Sequence, residues 1–327
     1  MKNKDMKILF WGGIKENTGP ENINKGIVHN LSDAFVYVTT EKTFGNILKL
    51  VKTLLMADAV VVSGVGRMNC VLVGVARMLG KPSVYLMHGC ADFEYRINNR
   101  PPNPKGLKWE AYLLDRATLL LPVSRRFMLW VHQRYPQYQN KTAFLYNGVD
   151  KELFEQKPNE QKSRDIAVAG GLRPQKMNLA VAEAVEAMDE RIILDIYGGT
   201  SEDYTDGGKI RMHGNLPHEQ FLRNLSETQL FVLNSAFEPF SIAALEALAC
   251  GCSLLVSEAA GVADLLALEE EDTTHDPADV EELRRKMEYL LEHPNHRRLR
   301  EQFDADRWSF EKMVMGLENY CRELVQR

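Results

Sequence analysis

The stretch FEPFSIAALEALACGCSLLVSE, residues 237–258, sets two glutamates, Glu238 and Glu246, eight positions apart in a run that is otherwise almost wholly apolar. Pro239 suits a helix start. Ser241 can cap the helix that follows through IAALEALAC, because a serine hydroxyl there accepts from a free backbone N–H of the first turn. CSLLVSE then reads as a strand without polar alternation, and QLFVLNS (229–235) reads as another just upstream. A helix between two continuously apolar strands is the unit of a parallel sheet covered on both faces.

The same unit recurs along the chain. KILFWG (7–12), AFVYVTT (34–40), ADAVVVSG (57–64), PSVYLMHG (82–89), ATLLLPVS (117–124) and KTAFLYNG (141–148) read as strands. ENINKGIVHNL, FGNILKLVKTLLM, RMNCVLVGVARMLG and RRFMLWVHQRY read as helices between them. Residues 147–165, polar and proline-containing, interrupt the rhythm as a linker. DIAVAGG, RIILDIYGG and KIRMHGN then begin a second series, with helices expected at 175–188, 218–226 and 241–250. Beyond Asp276 the pattern turns helical, ending in an amphipathic stretch from Trp308 to Val325. The fold class predicted is α/β: two Rossmann-like, doubly wound parallel-sheet domains facing a cleft, the first over residues 1–150 and the second over 151–307.

Composition narrows the function. The chain of 327 residues is 45% hydrophobic and 26% charged, the balance of a folded protein. The N-terminal MKNKDMKILFWGG lacks the apolar core of a signal peptide, and no run approaches the roughly 20 apolar residues of a membrane span. A cytoplasmic chain is expected, in which the five cysteines are reduced thiols. His293 and His296 lack the companions of a zinc site. Residues 1–150 hold 20 Lys and Arg against 11 Asp and Glu, and the remainder 20 against 34. A basic first half fits an anionic partner, a phosphorylated acceptor or a membrane surface. The cations are scattered and no aromatic RNA-binding or zinc-finger pattern accompanies them, which argues against nucleic acid. TFGNILKLVKTLLM (43–56) reads as a packing helix with Lys49 and Lys52 exposed, a membrane-surface contact being the alternative.

Ligands of open α/β sheets lie beyond the carboxyl ends of the strands, often with phosphate at a helix N-terminus. Glycine pairs follow strands at Gly12–Gly13, Gly170–Gly171 and Gly198–Gly199, without the dinucleotide fingerprint of a dehydrogenase. Arg173 and Lys176 sit where a helix opens, so their charge adds to the helix dipole in holding a diphosphate. Two carboxylates on the order of 12 Å apart, if helical, cannot share one proton or one metal. They can hydrogen-bond different hydroxyls of one extended ligand, as in a sugar nucleotide.

These residues resemble the E-x7-E pattern of GT-B fold retaining glycosyltransferases, closest in look to family 4, and EPFSIAALEALACGCSLLVSEAAGVADLL matches that family's most specific segment. The GG loop near the N-terminus, HG after the fourth strand, NGVD, the Lys176 loop and HGNLP extend the resemblance over nearly the whole chain. It implies transfer of a hexose-type sugar, with retention, from a UDP- or GDP-sugar to a hydroxyl of a glycan or lipid-linked acceptor in polysaccharide or glycoconjugate assembly. By the same resemblance Lys176 binds the donor diphosphate, Glu246 the ribose, and Glu238 with the backbone of Phe240, Ser241 and Ile242 the donor sugar. His88 would stand near the transferred sugar, Gly13 would leave room for phosphate, and the C-terminal helix (308–327) would cross back to the first domain. No metal or other cofactor is implied. The chain departs from the family at Gly171, where an arginine is usual and Arg173 is the candidate substitute. It departs again at Pro239 and Ser241, where glycines are common, and at Ala263–Asp264. A sugar-nucleotide epimerase of the same architecture and a non-catalytic sugar-binding module are the alternatives; the E-x7-E segment argues against the first and the phosphate loop against the second.

Overall fold

Valine, isoleucine and leucine runs form the strands because both faces of each strand are covered, and the resulting computed structural model describes residues 6–15, 18–41, 43–199 and 208–327. The chain divides into two units. The first takes the chain up to Arg96, Arg100–Asp150 and Asp306–Arg327; the second takes Ile97–Asn99 and Lys151–Ala305.

In the first unit β1 (Ile8–Trp11), β2 (Phe35–Tyr37), β3 (Ala59–Ser63), β4 (Ser83–Met87) and β5 (Leu119–Pro122) form a parallel sheet in the order β2-β1-β3-β4-β5. Register is set by pairs such as Phe10 with Val61 and Val61 with Val84. The strand order reverses between β1 and β3, which opens a crevice at their carboxyl ends. The helices between the strands are α1 (Gly19–His29), α2 (Phe44–Met56), α3 (Arg67–Met78), α4 (Ala91–Ile97), α5 (Pro104–Arg116) and α6 (Arg125–Arg134).

The second unit has β6 (Arg164–Ala169), β7 (Leu194–Tyr197), β8 (Ile210–Gly214), β9 (Thr228–Leu233), β10 (Ser253–Ser257) and β11 (Thr273–Thr274). All are parallel, in the order β11-β10-β9-β6-β7-β8, with the reversal between β6 and β9. Its helices are α7 (Glu152–Glu155), α8 (Asn178–Glu186), α9 (His218–Glu227), α10 (Ile242–Ala249), α11 (Val280–Glu292) and α12 (His296–Gln302). Val181 and Val185 of α8 and Leu283 and Met287 of α11 close one face over Ile166 and Ile196, all fully buried. The last helix, α13 (Phe310–Gln326), belongs to the first unit. There the Phe310 ring lies so close to Gly26 that a Cβ on Gly26 would stand 2.2 Å from it.

Four expectations change. KTAFLYNG is not a sixth strand: after two hydrogen bonds to β5, Ala143 N–H to Leu120 O (3.0 Å) and Leu145 N–H to Pro122 O (3.0 Å), its groups turn to α13. The Phe144 carbonyl accepts from the Tyr320 hydroxyl at 3.0 Å. Helices α4 and α5 were not among those expected, although Asn103 capping α5 and Pro104 at its first position are helix-start signals. Strand β11 lies in EEEDTTHD, where no apolar run announces it. It is held instead by the buried Lys286, whose ammonium donates to Thr273 O (2.6 Å) and Glu270 O (2.8 Å). Finally, α2 buries only Leu50 and Leu54 and turns its other apolar side chains to solvent, so it is not a packing helix of the ordinary kind. Among the described residues no helix is long and apolar enough to cross a membrane.

Candidate active site

The switch point of the second unit gathers most of the residues singled out in the sequence. Leaving β6, Gly170 (φ 100°) and Gly171 (φ 62°) both donate their N–H to Tyr197 O, at 2.7 and 2.9 Å. A Cβ on Gly171 would stand 2.9 Å from Gly198 O, so two glycine pairs pack backbone against backbone. That contact and the left-handed φ explain why no arginine stands at 171. The chain then makes a single 3-10 turn, Pro174–Lys176, and Met177 (φ 54°) resets it before α8, so the helix expected from 175 starts at 178. No side chain caps α8, which leaves its positive end for an anion. Arg173 folds back over the loop, its Nε donating to Gly170 O at 3.0 Å.

The loop after β9 supplies the other wall. Gln175 ties it to the first loop: Nε2 donates to Phe237 O and the Gln175 carbonyl accepts from Ala236 N–H, both at 3.0 Å. Glu238 is fixed through its backbone, its carbonyl accepting from Gly261 N–H at 2.9 Å. Its carboxylate forms an ion pair with the Lys176 ammonium, and both side chains are only about a tenth exposed, 12% for Lys176 and 11% for Glu238. Pro239 lies two residues ahead of the cap rather than at the first helical position. Ser241 caps α10, its hydroxyl accepting from Ala244 N–H at 3.4 Å, and Phe240 and Ser241 are buried beside Ile242, the first residue of the helix. Glu246, on the same helix, is 14% exposed and meets His218 Nε2 at 2.7 Å. His218 opens α9, three residues beyond the HGNLP stretch's glycine-asparagine turn, and the sequence reading did not single it out.

The switch point of the first unit is of a different kind. Asn24 of α1 donates from Nδ2 to Gly13 O (2.8 Å), and its Oδ1 accepts from the Ser63 hydroxyl (2.6 Å). Ser63 Oγ in turn lies 2.8 Å from His88 Nε2. The direction of this chain follows from its ends: a backbone carbonyl only accepts, so the Asn24 amide is oriented by Gly13 and accepts the Ser63 hydroxyl's hydrogen bond on Oδ1. His88 must then carry its proton on Nε2 and keep a lone pair on Nδ1. Burial lowers the His88 pKa to about 4, so the ring is neutral at physiological pH. Asn69 closes the other side, donating to Ser63 O (2.9 Å) and Gly64 O (2.7 Å). The space beside Gly13, expected to be open for phosphate, holds the Glu21 carboxylate, which a Cβ on Gly13 would meet at 2.5 Å. An acid in the first turn of α1 answers the helix dipole there, so a phosphate could enter only if Glu21 moved away. Asn24, Ser63 and Asn69 were not legible in advance, since single polar residues in helices and strand ends carry no spacing signal.

Among the described residues no group of three or more His, Cys, Asp or Glu side chains could hold a metal ion. Cations beside an uncapped helix and two separately held carboxylates suit an anionic ligand bearing hydroxyls, and comparison with known proteins gives that class a name. Residues 149–305 match the family described as Glycosyl transferases group 1. The second unit is therefore a glycosyl transferase domain of that group, and the chain as a whole has the two-sheet GT-B fold. The chain is similar in fold to Alr3699/HepE of Anabaena in complex with UDP and glucose: TM-score 0.69, 15% identity, 97% of this chain and 100% of that one covered. It is also similar to a glycosyltransferase of Rickettsia africae (TM-score 0.69, 14% identity, 99% of each chain covered). A third similar structure is the lipopolysaccharide outer core galactosyltransferase WaaB (TM-score 0.63, 15% identity, 97% of this chain and 99% of that one). No curated protein matches the chain.

Proposed function

We propose that the protein moves a hexose from a UDP- or GDP-sugar to a hydroxyl of a glycan or lipid-linked acceptor in glycoconjugate assembly, with the donor held at the switch point of the second unit. Lys176, Arg173 and the open end of α8 bind the diphosphate, Glu246 the ribose, and Glu238 with the backbone of Phe240–Ile242 the donor sugar. Retention brings the acceptor oxygen to the face that the diphosphate leaves. The bond from the anomeric carbon to the phosphate oxygen breaks as the bond to the acceptor oxygen forms, and the departing phosphate oxygen takes up the acceptor proton. Lys176 stabilises the charge that grows on that phosphate. His88, neutral and of fixed tautomer, offers its Nδ1 lone pair as the first unit's contribution to the reaction.

The observation that carries this reading is the Lys176–Glu238 ion pair. The carboxylate holds the ammonium in place; a diphosphate competes for the ammonium and releases Glu238 to the sugar hydroxyls. UDP is the first base to test, because Alr3699/HepE has been solved with it. A panel of UDP-, GDP- and ADP-sugars, scored by the rise in melting temperature, tests the reading, since a ligand bound only by the folded state stabilises it. A rise with a UDP- or GDP-sugar that shrinks in Lys176→Ala supports it, and no rise with either would sink it.

A further inference from the structure

Helix α2 presents an apolar stripe to solvent. Phe44, Ile47, Leu48, Val51 and Leu55 recur at the spacing of one helical face and are between 49% and 83% exposed. At 3.6 residues per turn, Leu50 and Leu54, the two buried residues, lie along one border of that stripe, and Lys52 and then Lys49 lie along the other. The helix is not held by the burial of its apolar face. Its ends are tied down instead: the Thr43 hydroxyl accepts from Asn46 N–H at 3.2 Å. At the other end the Lys81 ammonium donates to Leu54 O, Leu55 O and Ala57 O at 2.9, 2.6 and 2.6 Å. A helix tied at both ends, with five large apolar side chains in water and lysines along one border, is built to be covered.

We propose that α2 is a docking surface for an anionic lipid bilayer. An amphipathic helix lying in the interface buries its apolar stripe at the acyl boundary and leaves flanking lysines among the head groups, which is the order of residues around α2. A second copy of the chain suits the face less well, because a two-fold contact through the stripe would bring like lysines together. The basic balance of the first 150 residues, 20 Lys and Arg against 11 Asp and Glu, acts in the same direction as Lys49 and Lys52. The inference goes beyond the donor site and does not depend on it.

The test is co-sedimentation of the full chain with vesicles of phosphatidylglycerol and phosphatidylcholine, and of phosphatidylcholine alone, across a salt series, with light scattering on the free protein. It measures no sugar transfer, so its failure leaves the donor reading standing. Binding should be confined to the anionic vesicles and weaken as salt screens the charges. Replacing both Lys49 and Lys52 with alanine should weaken it about 30-fold. Leu48→Glu with Leu55→Glu, at exposed positions and with an unchanged melting temperature, should abolish it. No binding to anionic vesicles at low salt, wild-type binding by the double glutamate variant, or a dimer that this variant dissolves would each overturn the proposal.

Discussion

At the switch point of the second unit a lysine and an arginine converge on an uncapped helix. At that of the first, an asparagine, a serine and a neutral histidine pass hydrogen bonds to a glycine carbonyl beside a glutamate. Both sites lie where strand order reverses, and both begin with a glycine pair. Topology thus sets where a ligand can lie in each unit, and the side chains decide which ligand it is. The cations of the second unit suit a diphosphate; the first offers a fixed hydrogen-bond polarity through Asn24, Ser63 and His88.

The largest effect expected from this contrast is on Lys176. Lys176→Ala should lower turnover by about a hundredfold or more, because an ammonium facing a leaving diphosphate acts chiefly in the transition state. A change confined to KM in steady-state kinetics would reduce it to a ground-state contact. Next, Glu246→Ala should weaken donor binding by about 10- to 100-fold, the range for a charge-assisted hydrogen bond. Calorimetric titration checks this, and unchanged affinity would remove Glu246 from the ribose. Ser63→Ala should have a smaller effect, a fall of about tenfold in kcat with donor affinity unchanged, since it breaks the chain that fixes the His88 tautomer and leaves the cations of the second unit in place. A lower melting temperature with normal kcat would give Ser63 a structural role only.

The smallest effect is on stability. The unfolded His88 imidazole takes a proton below about pH 6.5, whereas the folded one refuses it until about pH 4. The folded pKa is the lower of the two, so the unfolded state binds more protons in that window and stability falls as pH drops through it. The slope from this group is at most about 1.4 kcal/mol per pH unit. His88→Gln should flatten urea-unfolding free energies between pH 6.5 and 4; an unchanged slope would place the dependence on other groups.

Much of this was legible in the sequence because parallel strands buried on both faces advertise themselves as apolar runs, because Glu238 and Glu246 stand in a distinctive segment, and because Lys176 follows a strand-ending glycine pair. Where the reading went astray, the cause was an interaction at long sequence range. KTAFLYNG has strand composition, yet its edge is claimed by Tyr320 and Phe310. Thr273 and Thr274 have no strand signal and are ordered by Lys286. The ion pair of Lys176 with Glu238 joins residues 62 positions apart, and the Asn24–Ser63–His88 chain joins three elements; no local pattern encodes either. For α2 the apolar periodicity was visible, but which of its faces is buried depends on how the helix sits on the sheet.

The central claim is that Lys176 exchanges Glu238 for the donor diphosphate. It is tested most directly by calorimetric titration of UDP, or of GDP if that is the base, into wild type, Lys176→Ala and Glu238→Gln. Lys176→Ala should bind at least tenfold more weakly, as befits a lost charge-assisted contact. Glu238→Gln should bind the free nucleotide at least as tightly as wild type, because the carboxylate that competes for the ammonium is gone, even though its sugar transfer is impaired. Weaker nucleotide binding by Glu238→Gln, or unchanged binding by Lys176→Ala, would contradict the exchange.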